Sequence, residues 1–94
     1  MKFEWYEGKN LANIKKHGIS FERAANIFYS NHLTLLSDGF SNNEDRKITI
    51  GTIGDSVIIL VAHTDRSGKT RIISARAASK KERRLYYEKW RENT

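Results

Sequence analysis

Arg46, His63 and Arg71 are the residues whose types and placement could do chemistry together. Each falls near the end of a β-rich run, and hairpin turns can bring such ends side by side. A histidine carries a proton near neutral pH, while guanidinium groups hold a phosphate and offset the negative charge that develops on it. The set therefore suits cleavage of a phosphodiester. On RNA it needs no metal, because the 2′-hydroxyl itself attacks the adjacent phosphate once a base removes its proton. Against this stands the plainer reading that a lone histidine at a strand end is structural or merely solvated. His17 carries the same ambiguity: beside Lys15, Lys16 and Gly18, it can lean on the negative end of its own helix. His17, His32 and His63 are too scattered for a zinc motif and the chain has no cysteine, so neither a metal site nor a cofactor is expected.

These strand ends meet only in one register, which the turns must set. Gly54-Asp55 has the glycine-first pattern of a two-residue type II′ hairpin, predicting that Ile53 pairs with Ser56 and Arg46 with His63. Arg66-Ser67-Gly68 resembles a three-residue loop with glycine in the left-handed position, predicting Asp65 opposite Lys69 and His63 opposite Arg71. One face then carries Arg46, His63 and Arg71 beside apolar rows formed by Ile48, Val61 and Ile73 and by Ile50, Ile59 and Ala75. The opposite face carries Lys47, Thr49, Ser74 and Arg76 among apolar residues. A slip of one residue in either pairing exchanges the faces of the strand that slips.

The elements that must position these residues read as a small α+β domain spanning residues 1–94. Three β-rich runs, Arg46 to Thr52, Ser56 to Thr64 and Lys69 to Arg76, form an antiparallel meander. Lys2 to Trp5 alternates charged and aromatic residues, as a short edge strand would. Two N-terminal helices precede the meander. The first carries Leu11 and Ile14 and ends near His17 with Gly18 as its left-handed cap. The second is capped by Ser20 and buries Phe21, Ala24, Ala25 and Phe28, with Ile19 stapled onto Ala24. Leu33 to Leu36 is a candidate strand, and Ser37 to Asn43 collects turn formers and predicts an exposed, mobile loop. Ser79-Lys80-Lys81-Glu82 matches the capping box that opens a C-terminal helix. On that helix Lys80, Arg84, Tyr87 and Arg91 share a stripe suited to gripping RNA by phosphate contact and stacking. Ala78, Leu85, Tyr86 and Trp90 lie nearer an inward stripe.

Composition bounds the function. The formal net charge is +6, and residues 66–94 hold ten Lys/Arg against three Glu, leaving residues 1–65 slightly acidic. Clustered positive charge of this kind marks a surface that meets phosphates or an acidic partner. The longest apolar run, Val57 to Ala62, is far short of the ~20 residues of a membrane-spanning helix. The amino terminus lacks the pattern of a signal peptide, so a cytoplasmic protein without membrane contact is expected.

The residues also resemble the BrnT family of type II toxins over nearly the whole chain. The resemblance rests on Phe3-x-Trp5 with Lys9, on Asn13-x-x-Lys16-His17-Gly18-x-x-Phe21-Glu22-x-Ala24, and on Glu44-x-Arg46 followed by Gly51. It continues through His63-Thr64, Arg71-Ile72-Ile73-Ser74-Ala75-Arg76 and Ser79-x-x-Glu82-Arg83-x-x-Tyr86. Tyr6 departs from it, standing where the family commonly has aspartate. The resemblance implies a RelE-like ribonuclease fold and an RNA-cleaving toxin that inhibits translation. It further implies a BrnA-like ribbon-helix-helix antitoxin, encoded by the adjacent gene, that blocks the toxin and represses their shared operon. Operator DNA would then be met only through the antitoxin complex. Carried over position by position, the matched polar residues are Lys16, His17, Glu44, Arg46, His63, Arg71 and Arg76. The expected catalytic set is thus His63, or else His17, moving the proton, with Arg46, Arg71 and Arg76 on the phosphate and Glu44 beside them. Lys16, Lys47, Lys80, Arg83, Arg84 and Tyr87 are expected to hold the rest of the RNA. Two other classes fit the same charge: a non-catalytic nucleic-acid-binding or regulatory module, and an interaction protein whose basic pole meets an acidic partner.

Overall fold

The computed structural model describes residues 1–41, 44–54 and 56–91, and for residues 38–41, 44 and 45 the backbone alone. Its elements run β1 (Lys2–Glu4), α1 (Glu7–His17), α2 (Phe21–Ala24), a 3-10 turn (Ala25–Tyr29), β2 (His32–Ser41), β3 (Glu44–Ile53), β4 (Val57–Arg66), β5 (Lys69–Ala77) and α3 (Lys80–Arg91). This is the expected mixture of N-terminal helices, meander and C-terminal helix. The strands form one five-stranded sheet in the order β1-β5-β4-β3-β2. β2 to β5 are antiparallel neighbours, whereas β1 joins the far edge parallel to β5, pairing Glu4 with Arg71.

Local signals explain most element ends. Gly18 closes α1 at φ 72, where a side chain would be strained, and its N–H reaches the Ile14 carbonyl. The Ser20 hydroxyl accepts from the Arg23 N–H, opening α2. The capping box holds as expected: the Ser79 hydroxyl accepts from Glu82 N at 3.2 Å, and Glu82 Oε1 accepts from Ser79 N at 2.8 Å. Three expectations need correction. The second helix changes to 3-10 winding at Ala25, which buries Ile27 while Phe28 is only partly covered. Residues 37–41 continue β2 instead of forming a loop, with an irregularity in pairing between Leu36 and Phe40; Asn42 and Asn43 lie outside the described residues. Leu85 is 38% exposed, so the inward side of α3 is Tyr86 and Trp90, joined by Ala78 just before the helix.

The sheet is covered on both faces. Phe21, Ala24, Ala25 and Ile27 pack with Ile53, Ile59, Val61, Ile72 and Ala75 on one face, joined by Phe3 and Trp5. On the other face, Tyr86, Ala78 and Trp90 pack on Ile48, Ile50, Ile58 and Leu60. Tyr86 also donates its hydroxyl to the Asn31 carbonyl, pinning α3 over the β2 side of the sheet. α3 therefore packs mainly on β3 and β4 and meets β5 through its first turn, where Glu82 contacts Arg76. Along the exposed side of β5, the Asn13 carboxamide replaces a missing strand. It donates to the Ala75 carbonyl at 2.8 Å and accepts from Ala75 N at 3.1 Å, while also donating to the Ile19 carbonyl.

Both hairpin registers differ from those expected. Ile53 pairs with Val57, so the β3–β4 connection runs from Gly54 to Ser56, and Asp55 within it lies outside the described residues. Arg66 pairs with Lys69 around a two-residue turn with Ser67 at φ 54 and Gly68 at φ 76, the type I′ conformation that matches strand twist. Each connection is one residue off the expectation, and each slip moves β4 relative to its neighbour. Arg46 consequently pairs with Thr64, not His63, and Thr64 with Arg71. The two slips cancel for the arginines, which stay on one face, and exchange the residue between them.

Candidate active site

The row expected to be Arg46, His63 and Arg71 is Arg46, Thr64 and Arg71, on the face that carries α3. His63 points to the opposite face, beneath the N-terminal helices. It is 2% exposed, and its ring meets Phe28 edge-on at 5.1 Å between centroids. Nε2 lies 2.7 Å from Thr49 Oγ1 and Nδ1 lies 3.1 Å from Asp65 Oδ1. With the proton on Nδ1, the chain runs in one direction: Thr34 donates to Thr49, Thr49 to His63, and His63 to Asp65, which also accepts from Lys47 at 3.0 Å. Burial lowers the pKa of His63, outweighing the pull of Asp65, so the ring is neutral at pH 7. Burial alone would raise Asp65, but the hydrogen bond from Lys47 and the proximity of His63 outweigh it and hold the carboxyl below its ordinary value. These features make His63 a satisfied core residue, with both ring nitrogens already bonded inside the fold.

A second rearrangement favours the arginines. The pairing of β4 with β5 shifts between Ala62 and His63, so that Ala62 faces Ser74 and Leu60 faces Arg76. The extra residue on β5 moves Ser74 and Arg76 onto the same face as Arg71, where uninterrupted alternation would have turned them away. The burial pattern agrees: Thr70, Ile72 and Ala75 are buried, whereas Arg71, Ser74 and Arg76 are half-buried. Arg71 is held by Glu4 of β1, with Nε and Nη2 each 2.8 Å from Oε2, and its guanidinium lies 5.2 Å from the centre of the Tyr6 ring. Glu4, Trp5, Tyr6 and Arg71 line a cavity of about 150 Å³. Arg76 makes a two-pronged contact with Glu82, Nη1 to Oε1 at 2.8 Å and Nη2 to Oε2 at 2.9 Å. That contact draws the Glu82 carboxyl down to about 2 and raises Arg76. Both guanidinium groups are thus set in place before any ligand arrives.

Two further cationic surfaces are formed, one of which shares Ser74 with this strip. Lys16 and His17, with Lys9, line a cavity of about 280 Å³ between α1 and β5, whose opposite wall includes Ile73 and Ser74. Ser74 stands between Arg71 and Arg76 on β5. At the other end, Lys80, Arg83, Arg84, Tyr87, Glu88 and Arg91 line an open cavity of about 290 Å³ on α3. The α3 stripe expected from helical spacing is therefore present, with Arg83 joining it. Lys47 sits apart, on the His63 face and paired with Asp65. The Glu44 side chain lies outside the described residues. Glu4 and Tyr6 were not foreseen as neighbours of Arg71, because parallel pairing between the first and last strands leaves no local trace in sequence.

Among the described residues, no group of three or more His, Cys, Asp or Glu could hold a metal ion. Nor is any described helix long and apolar enough to cross a membrane.

A family model described as the ribonuclease toxin BrnT of type II toxin–antitoxin systems matches residues 5–82. No curated protein sequence matches the chain. Among solved structures, the crystal structure of the ribonuclease toxin BrnT of Brucella abortus superposes with a TM-score of 0.65 at 29% identity, covering 85% of this chain and 99% of that one.

Proposed function

Because the chain belongs to the BrnT family of ribonuclease toxins of type II toxin–antitoxin systems, we propose that it cleaves RNA without a metal, on the β5 strip of Arg71, Ser74 and Arg76 completed by Arg46. The reading extends the family's activity to a RelE-like toxin that stops translation in the cytoplasm. A BrnA-like ribbon-helix-helix antitoxin would neutralise it and alone bring it to operator DNA. The observation that carries the site is the bulged pairing of β5 with β4, which puts Ser74 and Arg76 on the same face as Arg71, the face that carries α3.

In the reaction the 2′-oxygen loses its proton to a base and bonds to phosphorus. The P–O5′ bond breaks, and the 5′-oxygen takes up a proton. Arg46, Arg71 and Arg76 offset the charge that accumulates on the phosphoryl oxygens. His63 has both ring nitrogens committed, to Thr49 and Asp65, on the face opposite the arginines, so it is not placed to serve as the base. His17 is exposed and shares a cavity with Lys16 and Ser74, which supports it as the group that moves the proton. Lys16 and the α3 residues Lys80, Arg83, Arg84 and Tyr87 hold the flanking nucleotides through phosphate contacts and stacking.

The test is incubation of purified protein with RNA in excess chelator, followed by analysis of the ends. Fragments carrying 2′,3′-cyclic phosphate are expected. Arg71→Gln and Arg76→Gln should each slow cleavage by about 10²-fold, the scale of removing one preorganised donor. Intact RNA bound by folded protein would instead support a non-catalytic binding module.

A further inference from the structure

The middle of the arginine row holds two polar atoms with nothing to bind. Thr64 Oγ1 and Arg46 Nε are both closed off from solvent, and neither has a hydrogen-bond partner among the described residues. They belong to directly paired residues of β3 and β4 on one face. Thr64 as a whole is 4% exposed. Buried polar groups are satisfied in the great majority of cases, and leaving one unsatisfied costs about 1–3 kcal/mol. Of the three such side-chain atoms among the described residues, the third being Trp90 Nε1, these two belong to directly paired residues, which favours one shared partner from outside the fold.

The chemistry of the pair selects that ligand. An arginine Nε can only donate, and a threonine hydroxyl can turn its hydrogen toward whichever acceptor arrives. Arg71 flanks the same threonine from the β5 side. Two donors beside the guanidinium charges of Arg46 and Arg71 suit an anion with several acceptor oxygens better than a cation. Mobility is arranged suitably as well. Threonine is stiff about χ1, whereas Arg46 is long and only partly buried, so it can shift to admit a ligand oxygen while its Nε stays at the site.

We propose that Thr64 is a phosphate-contacting residue, its hydroxyl and Arg46 Nε together receiving one non-bridging oxygen of a phosphodiester seated between Arg46 and Arg71. The proposal rests on the ribonuclease reading for the identity of the phosphate, but the site itself is testable without cleavage. The occupant is the sugar–phosphate backbone, so Thr64 contributes to affinity for any sequence.

The probe is a fluorescently labelled oligoribonucleotide with 2′-O-methyl groups throughout, which cannot be cleaved through its 2′-oxygen. Thr64→Val keeps the shape and removes the hydroxyl; Thr64→Ser keeps the hydroxyl. Thr64→Val is expected to weaken binding about tenfold and Thr64→Ser to stay within about twofold of wild type. Urea denaturation should show Thr64→Val no less stable than wild type, since the lost hydroxyl had no partner. Wild-type affinity in folded Thr64→Val overturns the proposal. Should that variant fail to fold, inorganic phosphate titrated into the wild-type chain decides: saturable shifts of the Arg46 Nε–H and Thr64 amide resonances support the site, and their absence overturns it. Cleavage of ordinary RNA is scored separately. Cleavage with Thr64-independent binding removes this site alone, whereas Thr64-dependent binding without cleavage removes the ribonuclease reading alone.

Discussion

His63→Phe separates a structural histidine from a catalytic one. Phenylalanine keeps most of the ring volume against Phe28 and removes both hydrogen bonds of His63, to Thr49 and to Asp65. Neither partner is stranded, because Thr49 remains bonded to Thr34 and Asp65 to Lys47. At about 0.5–1.5 kcal/mol for each of the two hydrogen bonds, the expected loss of stability at pH 7.5 is about 1–3 kcal/mol. The pH dependence is sharper. Burial lowers the folded-state pKa of His63 below its ordinary 6.5. Its contribution is complete above that value and declines as pH falls below it, because the unfolded chain then gains a proton that the folded chain refuses. The slope approaches about 1.4 kcal/mol per pH unit until the folded-state pKa is reached. Urea midpoints of wild type and variant, measured from pH 7.5 down to 5, should therefore converge as pH falls. RNA cleavage by the folded variant should stay within a few-fold of wild type. Removing a general base costs about 10²–10⁴ in rate, so a loss of that size in a folded variant refutes the structural assignment.

Asn13→Ala strips β5 of its substitute strand and leaves the buried Ala75 N–H without an acceptor. A destabilisation of about 2–4 kcal/mol in urea is expected, and one under about 0.5 kcal/mol would show that water replaces the carboxamide. Glu82→Gln retains a capping-box side chain but removes the charge opposite Arg76. The displacement of Glu82 from 4.5 to about 2 corresponds to roughly 3 kcal/mol, which solvent around the 42% exposed Arg76 reduces to about 1–2 kcal/mol. Since the folded value is depressed, that stability is whole above pH 4.5 and fades toward pH 2, so thermal scans of the two proteins should differ at neutral pH and agree near pH 2. At Gly51 an added Cβ would lie 2.9 Å from Ile27 Cβ and 3.3 Å from His32 Cβ. Gly51→Ala should cost about 1–3 kcal/mol, and a thermal midpoint equal to wild type would mean that the 3-10 turn yields freely.

The elements were legible where short-range chemistry decides them. The Ser79–Glu82 box, the Ser20 cap and Gly18 are contacts within four residues, and each stands where the sequence puts it. Pairing register was not legible. Gly54-Asp55 suits a two-residue turn, yet Ile53 meets Val57, and the Arg66-Ser67-Gly68 segment turns on Ser67 and Gly68 alone. Turn preferences amount to fractions of a kcal/mol, whereas seating Ile59 and Val61 under the N-terminal helices and Leu60 under α3 involves several side chains at about 1.5–3 kcal/mol each. Burial overrode the turns. Strand β1 was legible as an edge, but its parallel seat beside β5 depends on contacts nearly seventy positions away, such as Glu4 with Arg71.

The same slips explain why the arginines survive as a candidate site when the histidine does not. Moving β4 by one residue relative to both neighbours leaves β3 and β5 in phase near the turn, so Arg46 and Arg71 still share a face, and only the residue between them changes. Conservation of phase between outer strands is a property of any three-stranded meander whose middle strand slips, and it makes outer-strand pairs safer inferences from sequence than any pair including the centre. The bulge at the β5 end then recruits Arg76, which strict alternation had assigned to the other face. The resulting strip carries three arginines and a threonine where a phosphate-binding surface is sought, and its histidine candidate comes from a neighbouring element: His17, at the end of α1, reached through Ser74. The proposed reaction thus divides proton transfer and charge stabilisation between a helix end and the sheet, so that either is open to removal by substitution without unmaking the other.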